Sequence, residues 1–564
     1  MKSIEVKNML LAVATMFQEK MDELAKLDAV IGDGDHGISM ARGAEAAYNN
    51  VSAMSDEEPQ NEYFKVYGRT LVAEIGGAMG PLFGTIFTEY GKEIKDKGDL
   101  TAEAFAMAVE NSAYKVMEFG GAKADDKTMV DAMIPAAKSA RTKFEEGGDL
   151  LAVAYAAVEG AKAGVEYTVG LRAKRGRSKF LQEKSIGYQD AGATSYYYLT
   201  KRIADYLNGD TEFEKPDVAL GKKEKKKLDD GIQVQKFINE PKDIVDEMIS
   251  GFTKAYSDRI EKLPNANVIV RKTMEPNKVG VVIGNGSGHE PACIGFVGEN
   301  MLDANAYGGL FAAPGPYTTL EAIKAADNGN GVCVLISSHA GDILNSQMAI
   351  DMAEDDGILA KPVLLYDDIA SAPKDMPLSE RRGAIGTMFN YKMTSSYASG
   401  HTLKEIISFA EKVRDNTRSV AAAMTPGTSP INGEPMFTVE KGEVLVGLGV
   451  HGESALMTYK DSSCSSIAEG MISSLIEDKP YEAGDEVAVI INGSGGTTMM
   501  ELLIFFDTVE EVLAEKGIKV FKPLIGSYIT TQEMGGIGLA ICKVDQEMKE
   551  AWEKPTDATH FPNL

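Results

Sequence analysis

The sequence predicts a multidomain protein in which an all-α domain is followed by an α/β domain. From residue 3 to about residue 207 nearly every segment has helical periodicity, with Ala-rich runs and little β-branched alternation. After residue 231, short apolar runs that end in polar loops alternate with helical patterns, which is typical of sheets covered by helices. We therefore expect an all-α domain at 1–207, a linker at 208–231 and an α/β domain at 232–564.

The first domain centres on a Gly-rich loop within LDAVIGDGDHGISMARG, which starts at Leu27. It places the carboxylates of Asp28, Asp33 and Asp35 within eight residues, on a backbone that its glycines allow to bend tightly. Mg²⁺ prefers oxygen ligands and commonly shares them between carboxylates and substrate phosphates. The loop therefore suits a metal-nucleotide site, although a solvated acidic turn between two helices explains this stretch equally well by itself.

Two familiar motifs do not account for the loop. As a calcium-binding hand that starts at Asp33, it would place Ile38 where the turn glycine belongs and Ala44 where the bidentate Glu belongs. Its glycines also match G-x-G-x-x-G, but that dinucleotide fingerprint follows a strand, whereas apolar residues recur at helical spacing from Val6 to Leu24. We reject both interpretations.

Further Gly-rich turns with polar residues interrupt the helices from Gly76, Gly121 and Arg175. Such turns expose backbone N–H groups at helix starts, and several helix starts that converge can bind phosphates without a P-loop. The sequence contains no G-x-x-x-x-G-K-[ST] motif. For any one of these turns, the alternative is that its glycines only end one helix and allow the next to begin.

Composition excludes several classes of protein. The 564 residues are too many for one core, and 44% hydrophobic with 25% charged residues is ordinary for a globular protein. A net charge of −26 argues against a nucleic-acid partner. Without a run of 18 apolar residues or a signal-peptide core, we expect no membrane partner and a cytoplasmic location. We expect buried thiols at the four widely spaced cysteines, Cys293, Cys333, Cys464 and Cys542.

The linker and the α/β domain follow. The segment 208–231 is polar and contains KKEKKK, which favours a solvated tether over a basic patch. The apolar runs VGVVI, GVCVLIS, KPVLLY, VLVGLGV and EVAVII predict parallel strands, and the Pro- and Gly-rich stretch TPGTSPINGEP predicts a subdomain break near 418–430. Ligands of open α/β sheets bind outside the carboxyl ends of strands, where His289 and His451 lie in Gly-flanked loops. A neutral imidazole there is nucleophilic, and capping of a turn is the alternative role.

Together these motifs resemble the dihydroxyacetone kinase family in a fused, single-chain form. The first domain is similar to the nucleotide-binding L domain through LDAVIGDGDHG, GPLFGT, DKTMVDA and GRSKFLQEKSIG. The second is similar to the substrate-binding K domain through GSGHEP, AGDILN, RRGAIGT, GLGVHGE and INGSGGTT. Most members place K before L, whereas this chain has L first. The resemblance implies ATP-dependent phosphorylation of a hydroxymethyl group of a short ketose, and a homodimer.

For the nucleotide domain, the resemblance implies an eight-helix barrel in which two Mg²⁺ ions bridge the ATP phosphates. The metal ligands would be Asp28, Asp33 and Asp35. Arg177 would offset charge on the transferring phosphoryl group. The nucleotide-binding positions would be His36, Ser39, Gly77, Met79, Gly80, Thr128, Met129, Arg177 and Gly192.

For the substrate domain, the resemblance implies that His451 adds to the ketone carbonyl as a covalent hemiaminal. His289 would assist, and Asp342 would draw the proton from the attacking hydroxyl. A covalent bond suits a substrate too small to offer much surface for binding. The substrate-binding positions would be Gly286, Ser287, Gly288, His289, Ser337, Asp342 and His451.

The sequence departs from the family pattern in both domains. Ser39 replaces an Asn and Met79 a Ser, which puts nucleotide affinity in doubt. Ser337 replaces a Lys. His339-Ala340 stands where the family has a Tyr-Thr pair, and Ser454-Ala455 stands where the family commonly has a Pro. We expect an enlarged pocket and a ketose longer than dihydroxyacetone, such as erythrulose. The alternatives are cyclisation of FAD, a lyase activity found in the family, and a non-catalytic regulatory role.

Overall fold

The computed structural model describes residues 1–32, 34, 36–214, 236–372, 376–431, 433–449, 457–460, 463–479 and 481–564, without the side chains of Arg177, Phe180 and Lys242. The chain divides into two compact units, Met1–Lys222 and Lys223–Leu564. No helix in the described ranges is both long and apolar enough to cross a bilayer. Most of the predicted linker, together with Asp33, Asp35 and His451, lies outside the described residues.

The first unit is helical throughout its described part, as the periodicity predicts. Its α-helices are α1 (Ser3–Glu19), α2 (Met21–Ile31), α3 (His36–Ser52), α4 (Gln60–Glu74), α5 (Met79–Lys97), α6 (Ala102–Gly120), α7 (Val130–Glu145), α8 (Leu150–Thr168) and α9 (Ala191–Leu207). Side chains of Thr101, Asp149 and Asp190 cap three of these helices by accepting a hydrogen bond from the first turn.

Each helix from α3 to α9 packs against the next, and α1 contacts both α3 and α9. Close packing depends on small residues. A Cβ atom added at Gly164 of α8 would lie 2.2 Å from the Asp131 carbonyl oxygen of α7, so that only glycine permits this approach. The buried side chains of these helices form one apolar core with several aromatic rings, including a stacked pair of Tyr67 and Phe87 with ring centroids 4.2 Å apart.

The second unit contains two six-stranded sheets and eight further α-helices in its described part. The strands of the first sheet are β1 (Ile260–Lys262), β2 (Val268–Arg271), β3 (Gly280–Ser287), β4 (Ala304–Leu310), β5 (Val332–Ser337) and β6 (Ala360–Leu365). Those of the second are β7 (Thr417–Thr425), β8 (Glu443–Val446), β9 (Met457–Lys460), β10 (Glu486–Gly493), β11 (Lys519–Gly526) and β12 (Gly535–Lys543). The helices are α10 (Ile244–Ala255), α11 (Pro316–Ala326), α12 (Ala340–Asp355), α13 (Thr387–Tyr397), α14 (Leu403–Asp415), α15 (Cys464–Asp478), α16 (Met499–Glu515) and α17 (Gln546–Glu553).

Alternating apolar side chains place the two sheets in separate layers of this unit. Along β5, Val332 and Val334 face the cluster formed with α11 and α12, whereas Cys333 and Leu335 face the cluster that contains α13 and α14. The latter cluster also holds side chains of β10 and β12, so α13, α14 and α17 lie between the sheets. Helices α15 and α16 cover the outer face of the second sheet.

The prediction of parallel sheets is only partly correct. In the first sheet, of order β1-β2-β4-β3-β5-β6, β3 pairs in parallel with β4 and β5, and β5 with β6. The second sheet, of order β11-β10-β12-β7-β8-β9, is antiparallel except for the pair β10 and β11. Apolar runs indicate buried strands of either kind, and strand direction depends on connections that the runs do not reveal. The predicted subdomain break near 418–430 overlaps β7. The chain passes from the first sheet to the second before that point, between the end of β6 at Leu365 and the start of β7 at Thr417.

Candidate active site

The acidic loop of the first unit is organised around Asp28, near the end of α2. Its Oδ2 atom accepts hydrogen bonds from the backbone N–H groups of Gly34 at 2.8 Å and His36 at 3.4 Å. Gly34 has a φ of +76°, a left-handed conformation that favours glycine. As the sequence predicts, the loop follows a helix and not a strand.

The starts of α3, α7 and α9 meet at this loop. His36, the first residue of α3, is buried and its Nε2 atom lies 2.7 Å from the Ser195 hydroxyl of α9. Burial lowers the pKa of His36, which favours the neutral imidazole. A Cβ atom added at Gly192 of α9 would lie 3.5 Å from the Cβ atom of Met129, directly before α7. Three helix N-termini, with the partial positive charge that they carry, therefore converge beside Asp28.

Two further carboxylates and a lysine lie at the same end of the unit. Burial, reinforced by the negative charges of Asp28 and Asp131, raises the pKa of Asp190 to about 7, while the nearby Lys127 opposes this shift. The Lys127 Nζ atom donates to the carbonyl oxygens of Thr168 and Tyr188, both at 2.5 Å. The sequence interpretation missed Asp190 and Lys127, although Asp190 precedes an Ala-rich helix as a typical N-cap residue.

These residues fit a divalent cation and a phosphate. Oxygen atoms of Asp28 are the ligand type that Mg²⁺ prefers, and the carboxylates of Asp131 and Asp190 lie at the same end of the unit. Within the described ranges no three His, Cys, Asp or Glu side chains form a metal-binding group, but Asp33 and Asp35 fall outside those ranges.

The other predicted nucleotide positions also lie at helix starts. Met79 and Gly80 begin α5, and Gly77 lies two residues before it. Thr128 precedes α7 and donates its backbone N–H to Asp131 at 2.9 Å, and Ser39 lies in the first turn of α3. The side chain of Arg177, at the start of a 3₁₀ turn, is outside the described atoms.

In the second unit, His289 follows β3 and is held by a distant loop. Its Nδ1 atom lies 2.6 Å from the carbonyl oxygen of Thr530, so Nδ1 carries the proton and donates it. Nε2 is therefore the nitrogen with the lone pair in the neutral ring. Gly288 has a φ of +102° and lies against the Phe311 ring, whose centroid is 5.2 Å from that of His289. The sequence interpretation missed Thr530 and Phe311.

The other predicted residues of the β3 loop lie beside His289. Gly286 and Ser287 are the last two residues of β3. The Ser287 hydroxyl is buried and has no hydrogen-bond partner among the residues that the structure describes.

Asp342 lies in the first turn of α12, after the neighbouring strand β5. Because β3 and β5 are parallel, their carboxyl ends share one edge of the sheet. Between β5 and Asp342, the His339 Nδ1 atom lies 3.3 Å from the Ser337 hydroxyl and 3.9 Å from Asp342 Oδ2. The structure thus places the predicted loops of His289 and Asp342 at the same edge.

A small cavity of about 20 Å³ lies next to this edge. Its lining includes His339, Arg382, Gly383, Leu448 and Gly449. His451, the predicted nucleophile, lies outside the described residues. The cavity therefore brings the β5 loop, the loop of Arg382 and the residues around Gly449 together.

Buried ion pairs hold the loop that contains Arg382. Its guanidinium donates to Asp368 at 2.7 Å, and the neighbouring Arg381 donates to Asp478 at 2.8 Å, with both pairs almost fully buried. Asp367 accepts from the backbone N–H groups of Ala384 at 2.8 Å and Gly386 at 2.7 Å. Burial raises the pKa of Asp367 to about 6. The sequence interpretation used RRGAIGT as a family motif but assigned these residues no role.

Two family models and several curated proteins match the chain. The Dak1 domain model matches residues 250–560, more than half of the chain, and the DAK2 domain model matches residues 30–205. The dihydroxyacetone-binding subunit DhaK of a PTS-dependent dihydroxyacetone kinase from Lactococcus lactis is 37% identical over 314 residues, which cover 56% of this chain and 94% of that protein. An L-erythrulose kinase from Pectobacterium atrosepticum is 33% identical over 328 residues, 57% of this chain and 55% of that protein.

Solved structures match a similar share of the chain. The dihydroxyacetone kinase from C. freundii in complex with AMP-PNP and Mg²⁺ has a TM-score of 0.54 at 27% identity, covering 58% of this chain and 61% of that chain. A dihydroxyacetone kinase operon co-activator, Dha-DhaQ, has a TM-score of 0.53 at 29% identity, covering 56% of this chain and 97% of that chain.

Proposed function

Because the chain belongs to the dihydroxyacetone kinase family, with its DAK2 domain ahead of its Dak1 domain as the motifs predict, we propose that it transfers a phosphoryl group from ATP to a hydroxymethyl group of a short ketose. One observation carries the proposal. His289 and Asp342 follow neighbouring parallel strands at one edge of the first sheet, next to a cavity lined by His339 and Gly449. The proteins similar to this chain include kinases as well as an operon co-activator, so the kinase activity of this chain has to be measured directly.

The first unit would hold the nucleotide. We infer that α1 and α3–α9 form the eight-helix barrel, since their neighbour contacts close into a ring. The carboxylates of Asp28, Asp33 and Asp35 would hold two Mg²⁺ ions, and the starts of α3, α7 and α9 would donate N–H groups to the phosphates. Bound there, Mg²⁺ would neutralise phosphate charge during the transfer. Arg177 would add a further positive charge.

The second unit would hold the ketose as a covalent adduct. A ring nitrogen of His451 attacks the carbonyl carbon, and the carbonyl π electrons move to the oxygen, which takes up a proton. The other ring nitrogen of His451 then loses its proton, which leaves a neutral hemiaminal. Nε2 of His289 has the lone pair to accept or relay a proton, because Nδ1 donates to Thr530. Asp342 would accept the proton of the hydroxyl that attacks the phosphorus.

The ketose should be longer than dihydroxyacetone. Ser337 and Ala340 have smaller side chains than the Lys and the Thr of the family pattern at these positions. A three-carbon ketose would leave the space of the missing side-chain atoms without contacts, which lowers the affinity that shape alone can supply. Erythrulose, with four carbons, is the nearest candidate. Similarity to an L-erythrulose kinase and to a D-erythrulose kinase supports this assignment.

ADP release with a panel of acceptors tests the proposal. We expect turnover with D- or L-erythrulose and dihydroxyacetone, and none with glycerol, which has no carbonyl to form the adduct. If dihydroxyacetone exceeds erythrulose in kcat/KM by more than tenfold, about 1.4 kcal/mol of transition-state preference, the enlarged-pocket interpretation is wrong. No ADP with any ketose would contradict the kinase assignment.

The covalent step needs its own control. His451→Ala should lose the adduct in a crystal or an NMR spectrum with a carbonyl-labelled ketose, while its circular dichroism spectrum stays that of the wild type. A free ketone carbonyl in the wild-type protein, bound together with a ketose that is turned over, would rule out the hemiaminal.

A further inference from the structure

The loop after β11, residues 527–531, ties the second sheet to His289 of the first. Its Thr530 makes three hydrogen bonds to the loop that follows β3. The Thr530 backbone N–H donates to the His289 carbonyl oxygen at 3.1 Å, the Thr530 carbonyl oxygen accepts from His289 Nδ1 at 2.6 Å, and the Thr530 hydroxyl donates to the Glu290 carbonyl oxygen at 2.7 Å. The position of Thr530 therefore decides which ring nitrogen of His289 carries the proton.

Asn492 of β10 fixes that loop in turn. The pairing of β10 with β11 ends at Asn492 and Gly526, and the side chain of Asn492 bonds the backbone beyond this point. Its Oδ1 atom accepts from the backbone N–H groups of Tyr528 and Ile529, both at 2.9 Å, and its Nδ2 atom donates to the Ile529 carbonyl oxygen at 2.7 Å. Asn492 is only 1% exposed. A buried amide, acting as donor and acceptor, thus holds the two residues directly before Thr530.

The alternation of β10 places Asn492 on the inner face of the second sheet. Val489 faces the apolar cluster covered by α15 and α16, whereas Ile490 faces the cluster that lies between the two sheets. Asn492 follows Ile490 by two positions, so its side chain lies on the same face. Val489 is equally buried on the opposite face of the same strand and therefore offers a matched control.

From these contacts we infer that Asn492 is a positioning residue for His289. Its amide keeps the loop in the arrangement in which the Thr530 carbonyl oxygen accepts from Nδ1, and the lone pair of the neutral ring therefore stays on Nε2. Without this amide, two N–H groups and one carbonyl oxygen of the loop lose their partner, and the loop no longer holds the ring in one tautomer. The inference rests on the proposed function, in which Nε2 accepts a proton, and adds to it a residue that acts through His289.

Nuclear magnetic resonance of the histidine rings tests this role without any turnover. The chain has six histidines, so selective ¹⁵N labelling gives few signals, and the signal lost in His289→Gln is that of His289. At a pH at which the ring is neutral, we expect the proton on Nδ1 in the wild type and a large share of it on Nε2 in Asn492→Ala. Asn492→Asp keeps an acceptor for both N–H groups, so its signals should lie between the two. Val489→Ala should keep the wild-type signals, although its cavity lowers the free energy of unfolding.

Turnover measures the consequence for the reaction. Asn492→Ala should lower kcat for the ketose by about 10- to 100-fold, because a displacement of a reacting group by about 1 Å has effects of that order. Thr531→Val is a second control on the loop itself. The Thr531 hydroxyl is buried and has no hydrogen-bond partner among the described residues, so this change should leave kcat at its wild-type value.

Several outcomes would overturn the inference: wild-type His289 signals in Asn492→Ala, an equal change of those signals in Val489→Ala, or a changed tautomer with unchanged kcat. If Asn492→Ala does not fold, Asn492→Asp carries the same comparison. A changed tautomer in Asn492→Ala, together with a wild-type protein that releases no ADP with any ketose, would contradict the kinase assignment and leave the hold of Asn492 on His289 intact. Wild-type turnover with His289 signals that Asn492→Ala does not alter would do the reverse.

Discussion

At the scale of single residues, the nucleotide end depends on Asp28. Its carboxylate anchors the loop through Gly34 and His36, and in the proposed function it would also supply an oxygen ligand to Mg²⁺. We predict that Asp28→Asn lowers ATP turnover by about a hundredfold or more, because removal of one preorganised charged group from a phosphoryl-transfer site has effects of that order. Ketose binding in the second unit should persist.

ADP release and calorimetric titration with a ketose measure the two effects. Asp22→Asn, an exposed acidic residue on the same helix, is the control and should keep wild-type turnover. Normal turnover in Asp28→Asn would remove this residue from the metal site, and loss of ketose binding would indicate that the change disturbs more than the first unit.

Asp367 gives a pH-dependent prediction. Burial raises its pKa in the folded protein to about 6, above the ordinary value of 3.8, so the folded state favours the protonated carboxyl. Its contribution to stability is complete below about pH 4 and lost as the pH rises through 6. Relative to Asp367→Asn, which does not titrate, the wild-type free energy of unfolding should fall by about 3 kcal/mol from pH 4 to 7.

Denaturant titration followed by the fluorescence of Trp552 measures this difference. Trp552 is the single tryptophan of the chain and is buried in the second unit, so its signal reports on that unit. Asp258→Asn, at an exposed position, should parallel the wild type at every pH. A wild-type curve parallel to that of Asp367→Asn would show that folding does not raise the pKa of Asp367.

At the scale of elements, the RRGAIGT loop is fixed by charges from other parts of the fold. Asp478 at the end of α15 accepts from Arg381 at 2.8 Å and from Arg418 of β7 at 2.6 Å, all three side chains being nearly buried. We predict that Asp478→Ala lowers the free energy of unfolding by about 3–5 kcal/mol, because two buried guanidinium groups lose their counter-charge.

The loop that Asp478 anchors also lines the small cavity through Arg382 and Gly383. The same variant should therefore raise KM for the ketose more than it lowers kcat, while nucleotide affinity stays at its wild-type value. Trp552 fluorescence gives the stability, and Glu469→Ala, an exposed change on the same helix, is the control. An unchanged midpoint would mean that the two arginines find other partners.

At the scale of the whole molecule, the proposed nucleotide site and the proposed ketose site lie in separate compact units. The homodimer implied by the family resemblance stays a prediction, and sedimentation should give about twice the 60.6 kDa of one chain.

If the nucleotide unit of one chain serves the substrate unit of its neighbour, a mixture of Asp28→Asn and His451→Ala proteins should recover turnover at least tenfold above either protein alone. A dimer whose mixed variants stay inactive would restrict the reaction to units of one chain.

The sequence alone determined the helical and α/β character of the two domains and the positions of the chemical groups along the chain. Helical and strand periodicity, the carboxylates around Asp28, and the loops of His289 and Asp342 are properties of short segments, and local physics suffices to predict them.

Only the tertiary structure decided which groups meet. The Thr530 carbonyl oxygen that sets the tautomer of His289 comes from 241 residues away, and Asp190 lies close to both Asp28 and Lys127 because helices distant in the chain pack side by side. The antiparallel pairing of the second sheet has the same origin. Periodicity records which face of a segment is buried, but the partner of a buried polar group depends on the packing of the whole chain, which no local pattern encodes.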